Sequence, residues 1–389
     1  MGVNQAIERV VFSVRKSKEK VHSLDSFSAL LLTLIALSGE FPSEQIARLP
    51  STDAYKGKVI KSLKNCGLIR TYYRDGLRGL RLTAAAKKQL AADWPDRFSP
   101  LFTGNTMTNA PKYTILHRLR LHRMAEAFVS MLNANILSFP WQKPLIFTPT
   151  PLDQAPYIER PAYFSSREVK GLGDAATKIR NSRAVGVLLT DGRIFSVYNT
   201  GPALMKWEYQ AEMRLKALLQ IELCQKRLPK QFGAAEQSAI LFGADMGQVP
   251  VLLDADTKCR DHFIQDGSYS HFYFLTNDHH GDIILYLLLH PDEKDALDSI
   301  LSQGLDPPRP NWAVVNDAMD GDSPVLFGYT CDMPRIRHFD NALHIQGRMG
   351  LLYCFDFQEE AMRRICGPNV EIQGLDFTKV KALLDDGTL

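Results

Sequence analysis

The order of secondary-structure signals in the first hundred residues constrains the fold more than any other feature. Three stretches with helical spacing or helix-boundary residues are followed by two β-prone runs: residues 26–38, 43–49 and 51–65, then 68–73 and 77–82. The β-prone runs flank Asp75 and Gly76, a dipeptide that is common in tight hairpin turns. The pattern predicts three helices followed by a β-hairpin.

This order is that of a winged helix-turn-helix domain, which we predict over residues 1–98. In such domains the third helix enters the major groove of DNA, and the hairpin, or wing, contacts the backbone beside it. Thr83 is then expected to cap a helix that begins in the run of alanines at residues 84–86.

Charge is distributed unevenly along the chain in a way that agrees with this prediction. Residues 1–123 carry 21 Lys and Arg against 9 Asp and Glu, whereas residues 124–389 carry 25 against 34. The near-neutral total of +3 therefore joins a basic front end to an acidic body. A separation of this kind is typical of a nucleic-acid-binding module attached to a domain with another role.

The predicted DNA-binding residues lie in the third helix and in the hairpin. Residues 51–88 hold 10 basic residues and only two acidic ones, and phosphate neutralisation needs cations on one surface. The start of the helix is expected to reach base edges. The predicted set is Ser51, Thr52, Tyr55, Lys56, Lys58, Lys61, Lys64, Arg70, Arg74, Arg78 and Arg81.

Residues 99–150 are predicted to be a connector that contains one amphipathic helix, residues 113–133. The first half of this helix carries His117, Arg118, Arg120, His122 and Arg123. These cations could extend the DNA-binding surface, form a solvated face, or belong to a helix that packs against another subunit. A proline-rich stretch, residues 139–161, is where we expect the domain boundary.

Residues 151–389 are predicted to form a mixed-sheet α/β domain, so that the whole chain is of the α+β class. Asp191 and Gly192 separate two β-prone runs and predict a second hairpin. The other predicted strands and helices are the β-prone runs 240–242, 249–253, 272–275, 283–289 and 351–355, and the helical runs 205–228, 291–301 and 358–365.

Several groups in this domain could carry chemistry, although each also has a simple structural explanation. Glu168-Val169-Lys170 and Asp256-Thr257-Lys258 have the acid-x-Lys pattern of metal-dependent nucleases, with Asp245 and Asp254 as further carboxylates. The cluster Asp278-His279-His280 could ligate a metal, but a polar hairpin loop explains it more simply. Glu208 and Glu212 share a helix face, and Glu212 is expected to pair with Lys216.

Other sequence features narrow the class of protein. No Walker A loop, dinucleotide-binding glycine pattern, H-E-x-x-H or G-x-S-x-G motif occurs, so we predict no cofactor and assign no catalytic or metal-binding residue. Six widely spaced cysteines without a C-x-x-C pair favour the reducing cytoplasm, and residues 1–20 lack the apolar core of a secretion signal. The longest apolar runs are far shorter than the roughly 20 residues that span a bilayer.

The chain resembles the replication-relaxation family of mobile-element proteins. The resemblance is carried by Gly67-Leu68-Ile69, the wing from Arg70 to Arg81, Leu82-Thr83 and the hairpin of residues 185–197. It implies a role around plasmid or conjugative-element DNA and assigns no catalytic residue.

Three functions remain open from the sequence. The first is sequence-specific binding of double-stranded DNA by an accessory or regulatory factor, whose acidic domain oligomerises or recruits a protein. The second is a nuclease targeted by the winged helix, with Asp254, Asp256 and Lys258 at its centre. The third is a transcription regulator that senses a small ligand.

Overall fold

The computed structural model divides the chain into two compact units, Met1–Lys143 and Pro144–Leu389. It describes residues 13–15, 21–23, 26–102, 114–148, 156–169, 182–203, 207–253, 268–309 and 312–386. The division lies inside the proline-rich stretch in which the boundary was expected. Among the described residues, no helix has both the length and the apolar character needed to cross a bilayer.

The first unit contains five helices and five short strands within its described residues. In chain order they are β1 (Ser13–Arg15), β2 (Val21–Ser23), α1 (Ser26–Ser38), β3 (Phe41–Pro42), α2 (Asp53–Asn65), β4 (Ile69–Arg74), β5 (Leu77–Leu82), α3 (Ala84–Asp93), α4 (Pro95–Phe102) and α5 (Ile115–Asn133). A 3₁₀ turn, Ser43–Ile46, stands where a second helix was predicted. Helix α1 is buried from Phe27 onwards and forms the centre of this unit.

The predicted hairpin is confirmed as strands β4 and β5. Arg74 pairs with Leu77 across a two-residue turn, in which Asp75 and Gly76 both have positive φ angles, 52° and 77°. Two such residues match the right-handed twist of the flanking strands, which explains why Asp-Gly is favoured here. Strand β3 adds to the other edge of β5, giving the sheet order β3-β5-β4.

Most of the segment predicted as a connector, up to Lys143, falls in the first unit. Helix α5 packs against α1 and β3, and its residues Ala125, Ala127, Phe128 and Val129 are buried. Helix α5 therefore contributes to the same hydrophobic core as α1.

The second unit mixes strands and helices, as expected for the α+β class. Its elements are β6 (Ala162–Ser165), α6 (Ser166–Val169), β7 (Gly186–Thr190), β8 (Arg193–Gly201), α7 (Tyr209–Leu219), α8 (Pro229–Phe232), β9 (Glu236–Gly243), α9 (Gln248–Leu253), β10 (Phe272–Thr276), α10 (His279–Leu289), α11 (Pro291–Leu301), β11 (Ala318–Asp320), β12 (Ser323–Phe327), α12 (Met333–Gln346), β13 (Gly350–Phe355), α13 (Glu359–Ile365), β14 (Val370–Leu375) and α14 (Phe377–Asp385). Helix α7 continues as a π-helix over Gln220–Arg227.

Two sheets organise this unit. The larger has the order β10-β9-β8-β7-β6, in which β6, β7 and β8 are antiparallel neighbours and β8, β9 and β10 are parallel. The smaller has the order β11-β12-β13-β14, with parallel pairing from β12 to β14. The hairpin predicted around Asp191 and Gly192 is confirmed as β7 and β8.

Two predicted strands are wrong, because the structure forms helices there. Residues 249–253 lie in α9, and residues 283–289 form most of α10. A short run of apolar residues has no period that separates a buried strand from a buried helix. In α10 the deciding signal precedes the run, since the Asp278 side chain accepts hydrogen bonds from the amides of His280 and Gly281 and thereby caps the helix.

Candidate nucleic-acid interface

Helix α2 has one buried face and one face of exposed lysines. Val59 and Leu63 point into the core, whereas Lys58, Lys61 and Lys64 are exposed at a spacing of three residues. None of these three lysines forms an ion pair with the described part of the chain. The helix therefore presents uncompensated positive charge along its outer side, as the sequence predicted.

The start of α2 places Ser51, Thr52 and Tyr55 at the surface. Thr52 is the N-cap residue, but its side chain makes no capping hydrogen bond. The Tyr55 ring lies 6.1 Å from the ring of Phe27, so one side of it rests on the core while about a third of the residue is exposed. All three side chains remain accessible to a ligand that approaches the helix N-terminus.

The hairpin carries three exposed arginines: Arg70, Arg74 and Arg78. Arg74 Nε lies 3.3 Å from Asp75 Oδ2, but both side chains are half exposed and such pairs contribute little stability. Register partners share a face of the hairpin, so Arg78 lies on the side of Tyr73, opposite to the side of Arg70 and Arg74. Arg74 and Arg78, which lie near the exposed tip, thus occupy opposite faces of the hairpin.

Lys56 does not belong to this surface, contrary to the prediction. It is only 4% exposed, and its Nζ donates to the carbonyl oxygen of Ala47 at 2.8 Å and to Asp53 Oδ1 at 3.2 Å. Position 56 precedes Val59 by one turn and therefore falls on the inward face of α2. Its ammonium group satisfies a backbone carbonyl at the end of the preceding turn instead of facing solvent.

Arg81 was also predicted to contact DNA, but it forms an internal ion pair instead. Its Nε and one terminal nitrogen donate to Glu40 Oε2 at 2.8 and 2.6 Å. Glu40 follows α1 and is completely buried. The buried carboxylate draws Arg81 onto the inner side of the hairpin and away from solvent.

Glu40 is the centre of a buried cluster that also contains Arg118 and His122 of α5. Arg118 donates to both carboxylate oxygens, and His122 Nε2 lies 3.0 Å from Oε1. Burial by itself would raise the pKa of Glu40, but hydrogen bonds from His122, Arg118 and Arg81 outweigh it and hold the pKa at about 2. Arg118 and His122 therefore face the core, while Arg120 on the same helix is exposed.

Glu40 was not singled out from the sequence, although a signal was present. It lies two residues after the end of a helix that is buried almost throughout, and it directly precedes the buried Phe41. A carboxylate between two buried apolar segments must find cationic partners, because an unpaired buried charge is costly. The surplus of arginine nearby could have suggested that some of these residues are internal.

In the second unit, Glu212 is buried and does not form the predicted pair with Lys216. Its carboxylate accepts hydrogen bonds from the Ser182 hydroxyl (2.9 Å), the Arg183 amide (2.7 Å) and the Tyr198 hydroxyl (3.0 Å). Burial, together with the nearby Tyr269 and Glu212, keeps the pKa of Tyr198 well above its ordinary value, so Tyr198 stays a donor. The cluster fastens α7 to the strand β8 and to the chain that enters β7.

Asp278, His279 and His280 are the metal-ligand candidates that lie together among the described residues, with ligand atoms within 4.8 Å of one another. They begin helix α10 and do not form the hairpin loop that was expected. Asp278 already caps this helix through one oxygen, and the His280 ring packs 4.2 Å from Phe357 and 4.6 Å from Phe377. The ring of the exposed His279 also lies 5.8 Å from that of Phe377, so all three residues have a structural role.

The nuclease-like groups are not brought together within the part of the chain that the structure describes. Asp254, Asp256, Lys258 and Lys170 lie outside the described residues. Glu168 accepts hydrogen bonds from the Ser165 amide and hydroxyl at 2.8 and 2.9 Å, which fixes the start of α6. Asp245 is exposed in the loop between β9 and α9.

Comparison of the chain with protein-family models, with curated proteins and with solved structures gave no match.

Proposed function

We propose that the first unit is a winged helix-turn-helix domain that binds double-stranded DNA in a sequence-specific manner. In this proposal α2 is the recognition helix, and the hairpin of β4 and β5 is the wing. We further propose, from the resemblance to the replication-relaxation family, that the protein is an accessory or regulatory factor of a plasmid or other mobile element. The acidic second unit would then serve oligomerisation or recruitment of a protein partner.

One observation carries the DNA-binding proposal. Lys58, Lys61 and Lys64 share the outer face of α2 and have no ion-pair partner among the described residues. Uncompensated cations on one exposed helix face repel one another unless an anion neutralises them. A phosphate backbone supplies such charges at regular spacing, and each contact releases a condensed counterion.

The remaining contacts follow from the position of the hairpin relative to α2. Helix α2 contacts β4, and the Thr83 hydroxyl donates to the carbonyl oxygen of Gly67 at 2.7 Å, joining the end of β5 to the turn after α2. With α2 in the major groove, Arg78 at the hairpin tip is expected to contact the flanking backbone. Ser51, Thr52 and Tyr55 at the helix start are expected to reach base edges.

The proposal is tested by the salt dependence of DNA binding. In Lys61→Ala and in Arg78→Ala we expect weaker affinity and a salt slope of log K against log [salt] that falls by about one unit each, because each removes one phosphate contact. Fluorescence anisotropy with a DNA duplex at several salt concentrations measures this. Lys230→Ala, an exposed lysine of α8 in the second unit, is the matched control and should leave the slope unchanged.

An unchanged slope in both Lys61→Ala and Arg78→Ala would exclude these residues from the interface. The target is found separately by sequencing DNA fragments that the protein retains from a pool containing plasmid DNA. Enrichment of one motif is the expected result, and uniform recovery of all fragments would contradict sequence-specific binding. A motif confined to chromosomal fragments would contradict the mobile-element role.

A further inference from the structure

The guanidinium of Arg118 is bonded to the backbone at the tip of the hairpin. One terminal nitrogen donates to the carbonyl oxygen of Arg74 at 2.8 Å, and the other lies 3.0 Å from that of Leu77 and 3.3 Å from that of Tyr72. Arg118 belongs to α5, more than 40 residues further along the chain. The hairpin tip is therefore held by a side chain from a distant helix, in addition to its own ladder.

The other side of the same guanidinium is anchored in the core. Arg118 Nε and one terminal nitrogen donate to Glu40, whose carboxylate is completely buried. The centre of the Tyr72 ring lies 3.8 Å from the guanidinium carbon of Arg81 and 4.6 Å from that of Arg118. A Cβ at Gly79 would come within 2.4 Å of Glu40 Oε1, so the lack of a side chain there lets the carboxylate reach this position.

The contacts of Arg118 restrict the conformation of the wing. A two-stranded hairpin by itself is marginally stable in water. Arg118 satisfies carbonyl groups on both sides of the turn and so restricts the backbone from which Arg74 and Arg78 project. A surface that is ordered before binding loses less conformational entropy when it meets its ligand.

We propose that Arg118 is a positioning residue for DNA binding. It contacts no DNA itself and acts by holding the hairpin tip, so that Arg78 reaches the phosphate backbone. Glu40 orients Arg118 and balances its charge. This inference rests on the proposed function, because it concerns how the wing meets DNA.

The test measures whether the effect of Arg78 depends on Arg118. We expect that Arg78→Ala lowers the salt slope by about one unit in the wild-type background and by less than about 0.3 units in the Arg118→Gln background. The second effect is smaller because, without Arg118, the hairpin tip is no longer held where Arg78 can contact phosphate. Lys61→Ala on α2 is the matched control and should lower the slope equally in both backgrounds. A global loss of stability in Arg118→Gln would change the effects of Arg78→Ala and Lys61→Ala on the salt slope by the same amount.

Equal effects of Arg78→Ala in the two backgrounds would overturn the proposal. Removal of Arg118 can also weaken folding, since it takes a partner from Glu40. The double variant Glu40→Gln/Arg118→Gln removes both charges and repeats the measurement without a stranded carboxylate. Arg118→Lys, which keeps the charge but not the fork of donors, should restore the Arg78 effect only in part.

Hydrogen exchange of the wild-type protein gives a second test. The amides of Arg74 and Leu77, the last pair of the ladder before the turn, should exchange as slowly as the other paired amides of β4 and β5. Fast exchange confined to these two amides would overturn the proposal whatever the stability of the variants. If the wild-type protein binds no DNA, the proposed function fails, while exchange at the tip, compared between the wild type and Arg118→Gln, still shows whether Arg118 holds it.

Discussion

At the residue scale, Glu40 is the charge around which the first unit is arranged. It accepts hydrogen bonds from Arg81 on β5 and from Arg118 on α5, and it lies beside His122. A carboxylate at this depth is stable only when several donors surround it. Three segments that are far apart in sequence therefore meet at one buried side chain.

The pKa of Glu40 predicts how stability depends on pH. Its folded pKa of about 2 lies below the ordinary value of 4.5, so the ionised carboxylate stabilises the fold above pH 4.5. That contribution, about 3 kcal/mol at the full shift, is lost as the pH falls from about 4.5 towards 2. We expect the Tm of the wild-type protein to fall more steeply between pH 5 and pH 3 than that of Glu40→Gln.

The exposed Glu44 provides the control for this experiment, because Glu44→Gln changes a nearby carboxylate outside the cluster. Its Tm profile should follow that of the wild type. Parallel profiles for the wild type and Glu40→Gln would show that Glu40 does not carry the acid sensitivity.

At the scale of elements, the two Asp-Gly hairpins were predictable and the short apolar runs were not. The first hairpin turn depends on positive φ angles at Asp75 and Gly76, and the second on a positive φ angle at Gly192, which are local requirements. The formation of α9 and α10 depends on tertiary packing, because a short apolar run such as residues 283–289 is compatible with either a buried strand or a buried helix. Gly281 shows how closely the start of α10 is packed, since a Cβ there would lie 1.9 Å from the carbonyl oxygen of Thr276. The helix start must therefore pack directly against the end of β10.

Thr83 offers a test of an element boundary that the sequence predicted correctly. Its hydroxyl accepts from the Ala86 amide at 3.1 Å and donates to the carbonyl oxygen of Gly67. Thr83→Ala should weaken α3 by about 1 kcal/mol and speed hydrogen exchange in residues 84–93 roughly fivefold. Thr83→Ser keeps the hydroxyl and should exchange like the wild type; equally fast exchange in both variants would assign the effect to the lost methyl group.

At the scale of the whole molecule, the chain consists of a basic unit and a larger α+β unit. The proposed interface, with the Glu40 cluster that supports it, lies entirely within Met1–Lys143. Helix α5 supplies Arg118 and is therefore required in any fragment that keeps the wing in place. A fragment that ended at residue 98 would lack it.

We predict that a fragment of residues 1–143 binds DNA with the salt slope of the full chain, whereas a fragment of residues 1–98 does not. Circular dichroism and cooperative thermal unfolding establish which fragments are folded, and anisotropy titration at several salt concentrations measures binding. Loss of binding in a folded 1–143 fragment would show that the second unit contributes phosphate contacts.

From the sequence alone, the positions of α1, α2 and the hairpin in the first unit, the asymmetry of charge and the α+β class of the chain could be established, whereas the helix predicted between α1 and α2 is only a 3₁₀ turn. These properties depend on local patterns, such as helical spacing and turn residues, and on simple counts. The tertiary structure alone decided which cations face solvent: Lys58 and Lys61 do, whereas Lys56, Arg81 and Arg118 are held internally. The reason is that one buried carboxylate selects its partners by distance in space, and residues 40, 81 and 118 become neighbours only when α1, β5 and α5 pack together.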